Sequence, residues 1–388
     1  MLDSHASAQS AADQDHQKYI DMRDSSHKDL LTYAAKASGR SPLRIQREFG
    51  AMARSDGQIN MVEYVRNGLY DIDRHSAEAR AQFISNDLHW PITHTCNDRG
   101  WSGSAEDKAV AGTLLATGGV PVPDTVAIID RSARIFPGYT KISTPEALRD
   151  LVTATPDQRL FGKITGGMVS FGAFCVTGGD AERIHCEGHD PMRYADFLNE
   201  FVGTSSYLLQ KVLTNHSGFA QYASALATVR MVNLVSDEGV YCPMSVIKLP
   251  QGDNIADAFW RPGNLACAVD VDTGRIETVA RRGIETEFLP DHPEIAGLMG
   301  LCLPHWDALR EINERAARIF APIRYQSTDI AITEAGPVVV EINYGGGFDL
   351  PQYASGKGML TPRVRAFFEG CGYQFAPRAA KRKRFGLF

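Results

Sequence analysis

Two β-rich runs flank a short turn near the C-terminal end: TDIAIT, then Glu334-Ala335-Gly336, then PVVVEIN, over residues 328–343. No other feature narrows the fold as much. Runs of β-branched residues on either side of a glycine-ended loop read as an antiparallel hairpin. A three-residue loop with glycine last predicts Thr333 opposite Pro337, and so Asp329 opposite Glu341. Side chains alternate along a strand, so Asn343 leaves the same face as Glu341. One sheet face should then carry two carboxylates and a carboxamide. Neighbouring carboxylates resist joint ionisation unless something positive lies between them. Oxygen donors of this kind suit Mg2+. A solvated hairpin with a polar outer face fits the same spacing, so spacing alone leaves both readings open.

Other segments read as strands too: RLFGKITGG with GAFCVTGG as its hairpin partner, YLLQKVL, ATVRMVNLVS, VYCPMSVIKL and NLACAVDVDTG. Single helices interrupt them: AEDKAVAGTLLAT over 105–117, TPEALRDLV, MRYADFLNEFV and HWDALREINERAARIF. This pattern predicts two α+β units rather than one repeating βαβ sheet. Residues from about 26 to 90 read as helices, opened by cap-type serines in SSHKDLLTYAAKA and by Ser41-Pro42. The first 25 residues are polar and small, a composition that predicts disorder.

Two cations stand where cations need partners. Lys163 lies at a strand end before Gly166-Gly167, an arrangement that can hold phosphates: lysine supplies charge, and glycines let backbone N–H groups approach the oxygens. A plain hairpin turn would look the same. Arg230 sits mid-strand between apolar neighbours, where burial is costly without an anion, and Lys248 in SVIKLP is similar. An ordinary salt bridge satisfies both. The phosphate-binding G-x4-G-K-[ST] loop is missing, as are GxGxxG after a first strand, HExxH, GxSxG and the protein-kinase HRD and DFG sequences.

Composition excludes several classes. The net charge of −6 argues against a large nucleic-acid surface. No run approaches the roughly 18 apolar residues of a membrane helix, and the N-terminus has no hydrophobic signal core. Seven cysteines without a CxxC pair suggest neither a disulfide framework nor zinc, and fit a reducing cytoplasm. Lys381-Arg382-Lys383-Arg384 reads as a solvated basic tail.

In their order and spacing these segments resemble the ATP-grasp superfamily, and within it the sugar-transfer-associated, alpha-L-glutamate ligase-related group. The resemblance runs from about residue 40 to 368, through SPLRIQREFG, GVPVPDTVAI, LFGKITGG, YLLQKVLTNH, ATVRMVNLV, NLACAVDVDTGRI and VVVEINYGGGFDL to PQYASGKG. It implies an α+β ATP-grasp fold: two α+β subdomains, 105–205 with the phosphate loop and 206–375 with the metal site, gripping ATP. A helical unit (26–104) would precede them, after a disordered start (1–25), and a basic tail (376–388) would follow. Lys108 and Lys163 are similar to the lysines that reach ATP phosphates, and Gly167 and Gly172 to glycines of the loop above them. Gln210, Lys211 and Val212 resemble the linker that holds adenine, with Lys248 a further nucleotide contact. Arg230 resembles the arginine beside the transferred phosphate, so Arg230 and Lys163 are the implied catalytic pair. Asp329, Glu341 and Asn343 resemble ligands to two Mg2+ ions. Met168, Val169, Phe171 and Lys211 depart from the family pattern. The implied reaction joins a carboxylate to an amine through an acyl phosphate, in the cytoplasm. The alternatives are a kinase that releases a phosphorylated product and a nucleotide-binding protein without turnover. The residues name neither acid nor amine, and they do not exclude an oligomer.

Overall fold

The computed structural model describes residues 10–21, 25–167, 170–259 and 261–375. Met168, Val169 and the basic run at 381–384 lie outside the described residues. The fold is an α+β arrangement of two sheets behind a helical N-terminal region, as expected. The first sheet holds β1 (Thr125–Ile129), β2 (Lys141–Ile142), β3 (Leu160–Ile164), β4 (Phe174–Gly179), β5 (Arg183–Cys186), β6 (Met192–Arg193) and β7 (Tyr207–Lys211). Their order is β2-β1-β7-β3-β4-β5-β6. The helix Pro145–Ala154 covers one face, where Leu148 and Val152 pack with Leu160, Phe174, Val176 and Leu209. The expected helix MRYADFLNEFV is only partly helical. It opens with strand β6 and ends in a wide turn over Phe197–Phe201.

The second sheet holds β8 (Thr228–Ser236), β9 (Gly239–Tyr241), β10 (Ser245–Leu249), β11 (Leu265–Val269), β12 (Val279–Arg281), β13 (Glu287–Leu289), β14 (Tyr325–Thr333) and β15 (Gly336–Asn343). The order is β13-β12-β11-β10-β8-β14-β15, with β9 folded back on β8. The helix Trp306–Ile319 lies across it. Leu309 and Ala316 join Val229, Ile330, Ile332, Val339 and Ile342 in the largest core. Each such aliphatic side chain contributes ~1.5–3 kcal/mol on burial. The apolar face therefore holds the sheet together, and the opposite face can carry charge.

The β14–β15 hairpin reaches its register by an unexpected route. Thr333 pairs with Gly336 and Ile332 with Pro337, so the turn is one residue tighter than a three-residue loop. Unbroken, that register would set Asp329 opposite Val340. A bulge between Asp329 and Ile330 leaves Val340 as the extra residue and returns Asp329 to Glu341.

The helical region is built from capped helices. Ser26 caps His27–Ser38, Ser41 caps Pro42–Met52, and Asn60 with Glu63 forms a reciprocal capping box on Met61–Arg66. Their core gathers Leu30, Ala34, Ile45, Ile59, Tyr64 and Val65. The helix His89–Cys96 fastens this region to the second sheet. Ile92 and Cys96 pack with Val232, Leu234 and Phe348, and the Asn97 amide exchanges two hydrogen bonds with the Tyr325 backbone. One expectation fails: Ala11–Asp21, within the stretch read as disordered, is a helix docked against the first sheet. Its polar sequence gives no apolar stripe, and it is held instead by charge. Among the described residues no helix is long and apolar enough to cross a membrane.

Candidate functional site

The second sheet aligns its charges across strands rather than along them. Arg230 on β8 faces Asp329 on β14, and Asp329 faces Glu341 on β15. Directly opposed residues share a face, and Asn343, two beyond Glu341, joins them. Lys248 on β10 pairs with Thr228, two residues before Arg230, so it leaves the same side. Four strands thus present a row of Lys248, Arg230, Asp329, Glu341 and Asn343.

The row is neutralised pairwise. Arg230 grips Asp329 with both arms of its fork, Nε to Oδ1 at 2.9 Å and Nη2 to Oδ2 at 2.7 Å. The Lys248 ammonium lies 3.2 Å from Asp329 and 3.2 Å from Asp257. Asp329 and Lys248 are 4% and 5% exposed, so their charges depend on these partners. Burial pushes the Asp329 carboxyl up, but Arg230 and Lys248 outweigh it and hold it far below the usual range. Burial likewise pulls Arg230 down, and Asp329 more than restores it. Asn343 donates from Nδ2 to the Ser327 carbonyl at 3.4 Å, which leaves Oδ1 for another group.

Two lysines come from the other side. Lys163, fourth residue of β3, donates from Nζ to the Val340 carbonyl at 3.1 Å. The bulge residue that sets the register of β15 thus also receives the lysine of the opposite sheet. Burial pushes Lys163 down to about 8, against the attraction of Glu341. Lys108 begins the helix Lys108–Thr117, whose first N–H groups bond the Asp107 side chain. Its ammonium lies 2.5 Å from the Gly167 carbonyl and 3.0 Å from Glu341, so it ties the turn after β3 to the row.

The remaining expected contacts lie along the same cleft. Gln210 donates to the Thr125 hydroxyl at 3.0 Å, Lys211 pairs with Asp124 at 3.0 Å, and the Val212 N–H bonds the Arg159 carbonyl at 3.3 Å. Gly167 and Gly172 bracket the loop above Lys163. Gly172 has φ +65°, and a Cβ there would sit 2.6 Å from the Tyr207 hydroxyl, so glycine is required.

Sequence reasoning missed Asp257 and His89. Asp257 lies in the irregular connection from β10 to β11, where no periodicity points inward. His89 is buried beside the Gly345–Gly347 loop, and burial pushes its imidazole down to about 4. Its Nε2 and the Thr93 hydroxyl have no hydrogen-bond partner among the described residues, and both crowd the α-carbon of Gly345. A lone histidine in a helix gives no sequence signal of such a place.

These residues line one cleft of about 1660 Å3. It runs from Gln210–Leu213 past the ionic row to Asn60, Arg66, His89, Arg282 and Tyr353, so the helical region walls its far end. A single small-molecule pocket spans about 300–1,000 Å3; this cleft has room for two ligands. Among the described residues no three His, Cys, Asp or Glu side chains form a metal cage. The donor set of two carboxylates and one carboxamide still suits Mg2+, which keeps water and phosphate oxygens as its other ligands.

A family model described as sugar-transfer associated ATP-grasp matches residues 91–367. No curated protein matches the chain. Among solved structures, the ATP-grasp ligase PsnB with a phosphomimetic variant of its minimal precursor, Mg and ADP is 17% identical. The TM-score is 0.35, over 71% of this chain and 61% of that one. D-alanyl-alanine synthetase A from Vibrio cholerae O1 biovar eltor is 12% identical at TM-score 0.40, over 69% and 64%. D-alanine–D-alanine ligase from Bacillus anthracis is 12% identical at 0.36, over 71% and 72%. The chain thus spans less than two thirds of the length of the first two. Similarity this loose says nothing of substrate or activity.

Proposed function

The chain belongs to the sugar-transfer associated ATP-grasp family, and on that footing we propose that it is an ADP-forming ligase. It activates a carboxylate as an acyl phosphate and passes the acyl group to an amine. One observation supports this most: the ionic row of one sheet, Lys163 of the other and Lys108 at a helix start converge on a single cleft. A carboxylate is a poor electrophile, and phosphorylation gives it a good leaving group. The protein's share of such a reaction is positioning and charge neutralisation.

In this reading Lys108 and Lys163 bind the phosphates, and the Gly167–Gly172 loop covers them. Gln210, Lys211 and Val212 lie along adenine, and Lys248 keeps Asp329 ionised and in place. Asp329, Glu341 and Asn343 would hold the Mg2+ ions, which supply charge between the phosphates. Arg230 takes one lone pair of each Asp329 oxygen and Lys248 meets Oδ2 as well, so the second lone pair of Oδ1 is the one open to a metal. Arg230 faces the transferred phosphoryl group, where its planar fork matches the equatorial oxygens. The far end of the cleft, with Arg66, His89 and the Gly345–Gly347 loop, takes the co-substrate. At neutral pH His89 is uncharged, so it offers the site a hydrogen-bonding imidazole rather than a cation.

The test is chemical trapping. Purified protein is incubated with ATP, Mg2+, hydroxylamine and pooled carboxylic acids, and hydroxamates are sought by mass spectrometry. A hydroxamate whose formation needs ATP supports the ligase. A stable phosphorylated product that persists with every candidate amine would make the protein a kinase instead.

A further inference from the structure

The helix Ala11–Asp21 is docked in an unusual way. Among its described side chains Asp15 alone is buried, at 9% exposure, while Asp13, Gln14, His16, Gln17 and Lys18 face solvent. Helices normally dock by an apolar stripe. Here a carboxylate is the anchor, and burying one is costly unless it is paired and hydrogen-bonded. Its partners belong to the grip. Asp15 Oδ2 accepts from the Gly172 backbone N–H at 3.1 Å and from Arg261 Nη2 at 3.0 Å. Arg261 also reaches the Ser170 carbonyl at 3.4 Å, so it spans from the β10–β11 connection to the phosphate loop. The rings of His16 and Tyr19 also meet Phe171, at 5.5 and 5.7 Å, so the helix rests on the same loop by a second contact.

A glycine N–H in the left-handed region beside a guanidinium is a donor set suited to a phosphate oxygen. We propose that Arg261 and the Gly172 N–H form an anion site for a nucleotide phosphate, and that Asp15 occupies it as an internal competitor until nucleotide displaces the helix. This rests on the reading of the cleft as a nucleotide site. It adds a phosphate-binding residue, Arg261, and a segment that limits affinity. A polyphosphate brings more negative charge than one carboxylate, and so competes for the Arg261 guanidinium and the Gly172 N–H.

Full-length wild type and Asp15→Asn are titrated calorimetrically with Mg-AMPPNP and, separately, with inorganic tripolyphosphate. Asparagine keeps the size of the side chain and removes the competing charge. Both ligands should bind Asp15→Asn about tenfold more tightly, the equivalent of ~1.4 kcal/mol. Adding Arg261→Gln should abolish that gain. Hydrogen exchange over residues 11–19 should quicken when AMPPNP binds wild type. Equal or weaker binding by Asp15→Asn overturns the inference, as does slower exchange with nucleotide, which would make the helix a lid. If wild type binds AMPPNP and Asp15→Asn binds it no better, this inference falls and the nucleotide reading of the cleft stands. If neither protein binds it, the nucleotide reading of the cleft falls too.

Discussion

Lys163 shows how one side chain serves two opposed demands. Burial holds it near 8, below the ordinary lysine value of 10.5, and its ammonium rests on a backbone carbonyl. Between those two values the unfolded chain binds a proton that the folded chain lacks, so folding stability rises with pH across the window. A phosphate beside Lys163 favours the charged form, so nucleotide binding there requires proton uptake. Affinity for Mg-ADP should therefore fall as pH climbs above about 8 while stability improves. Lys163→Met should bind nucleotide more weakly, by ~1.5–3 kcal/mol, and lose both trends. Calorimetry at pH 7–9.5 beside thermal melts reads the two together. A wild-type affinity flat across that range would place Lys163 away from the phosphates.

At the scale of elements, the hairpin shows what the sequence could and could not reveal. Both strands and the shared face of Asp329, Glu341 and Asn343 were legible from β-branched runs, alternation and one glycine. The route to that register was not. The turn closes one residue earlier than expected and the bulge at Val340 makes up the difference, because bulges depend on neighbouring strands and not on local pattern. Arg230 could be singled out as a buried cation, but its partner could not, since strand order is a long-range property. The docked helix at 11–21 was invisible for a plainer reason: its buried anchor is an aspartate. Deleting Val340 removes the extra residue and leaves Asp329 opposite Glu341 in an unbroken ladder, so Glu341 and Asn343 keep their face and what is lost is the carbonyl that accepts from Lys163. The deletion protein should keep the Mg-dependence of nucleotide binding but bind more weakly, because Lys163 loses its seat. Unchanged affinity, followed by fluorescence of a labelled ADP with and without Mg2+, would show that the bulge does not position Lys163.

Across the whole molecule, the cleft is walled by three regions with separate cores: the first sheet, the second sheet and the helical region. Four of its cations already have anionic partners, Lys108 with Glu341, Arg230 and Lys248 with Asp329, and Arg261 with Asp15, while Lys163 rests on a carbonyl. On the proposed reading a nucleotide would not fall into a positive well. Each phosphate that enters would release a carboxylate, and the freed carboxylates at 329 and 341 would be the landing points for the metal that travels with it. Binding would then be a change of partners at nearly constant local charge. Its affinity should respond to added salt less steeply than four cations would suggest, and the metal and the nucleotide should arrive together, because either alone would leave one side of every exchange unmatched.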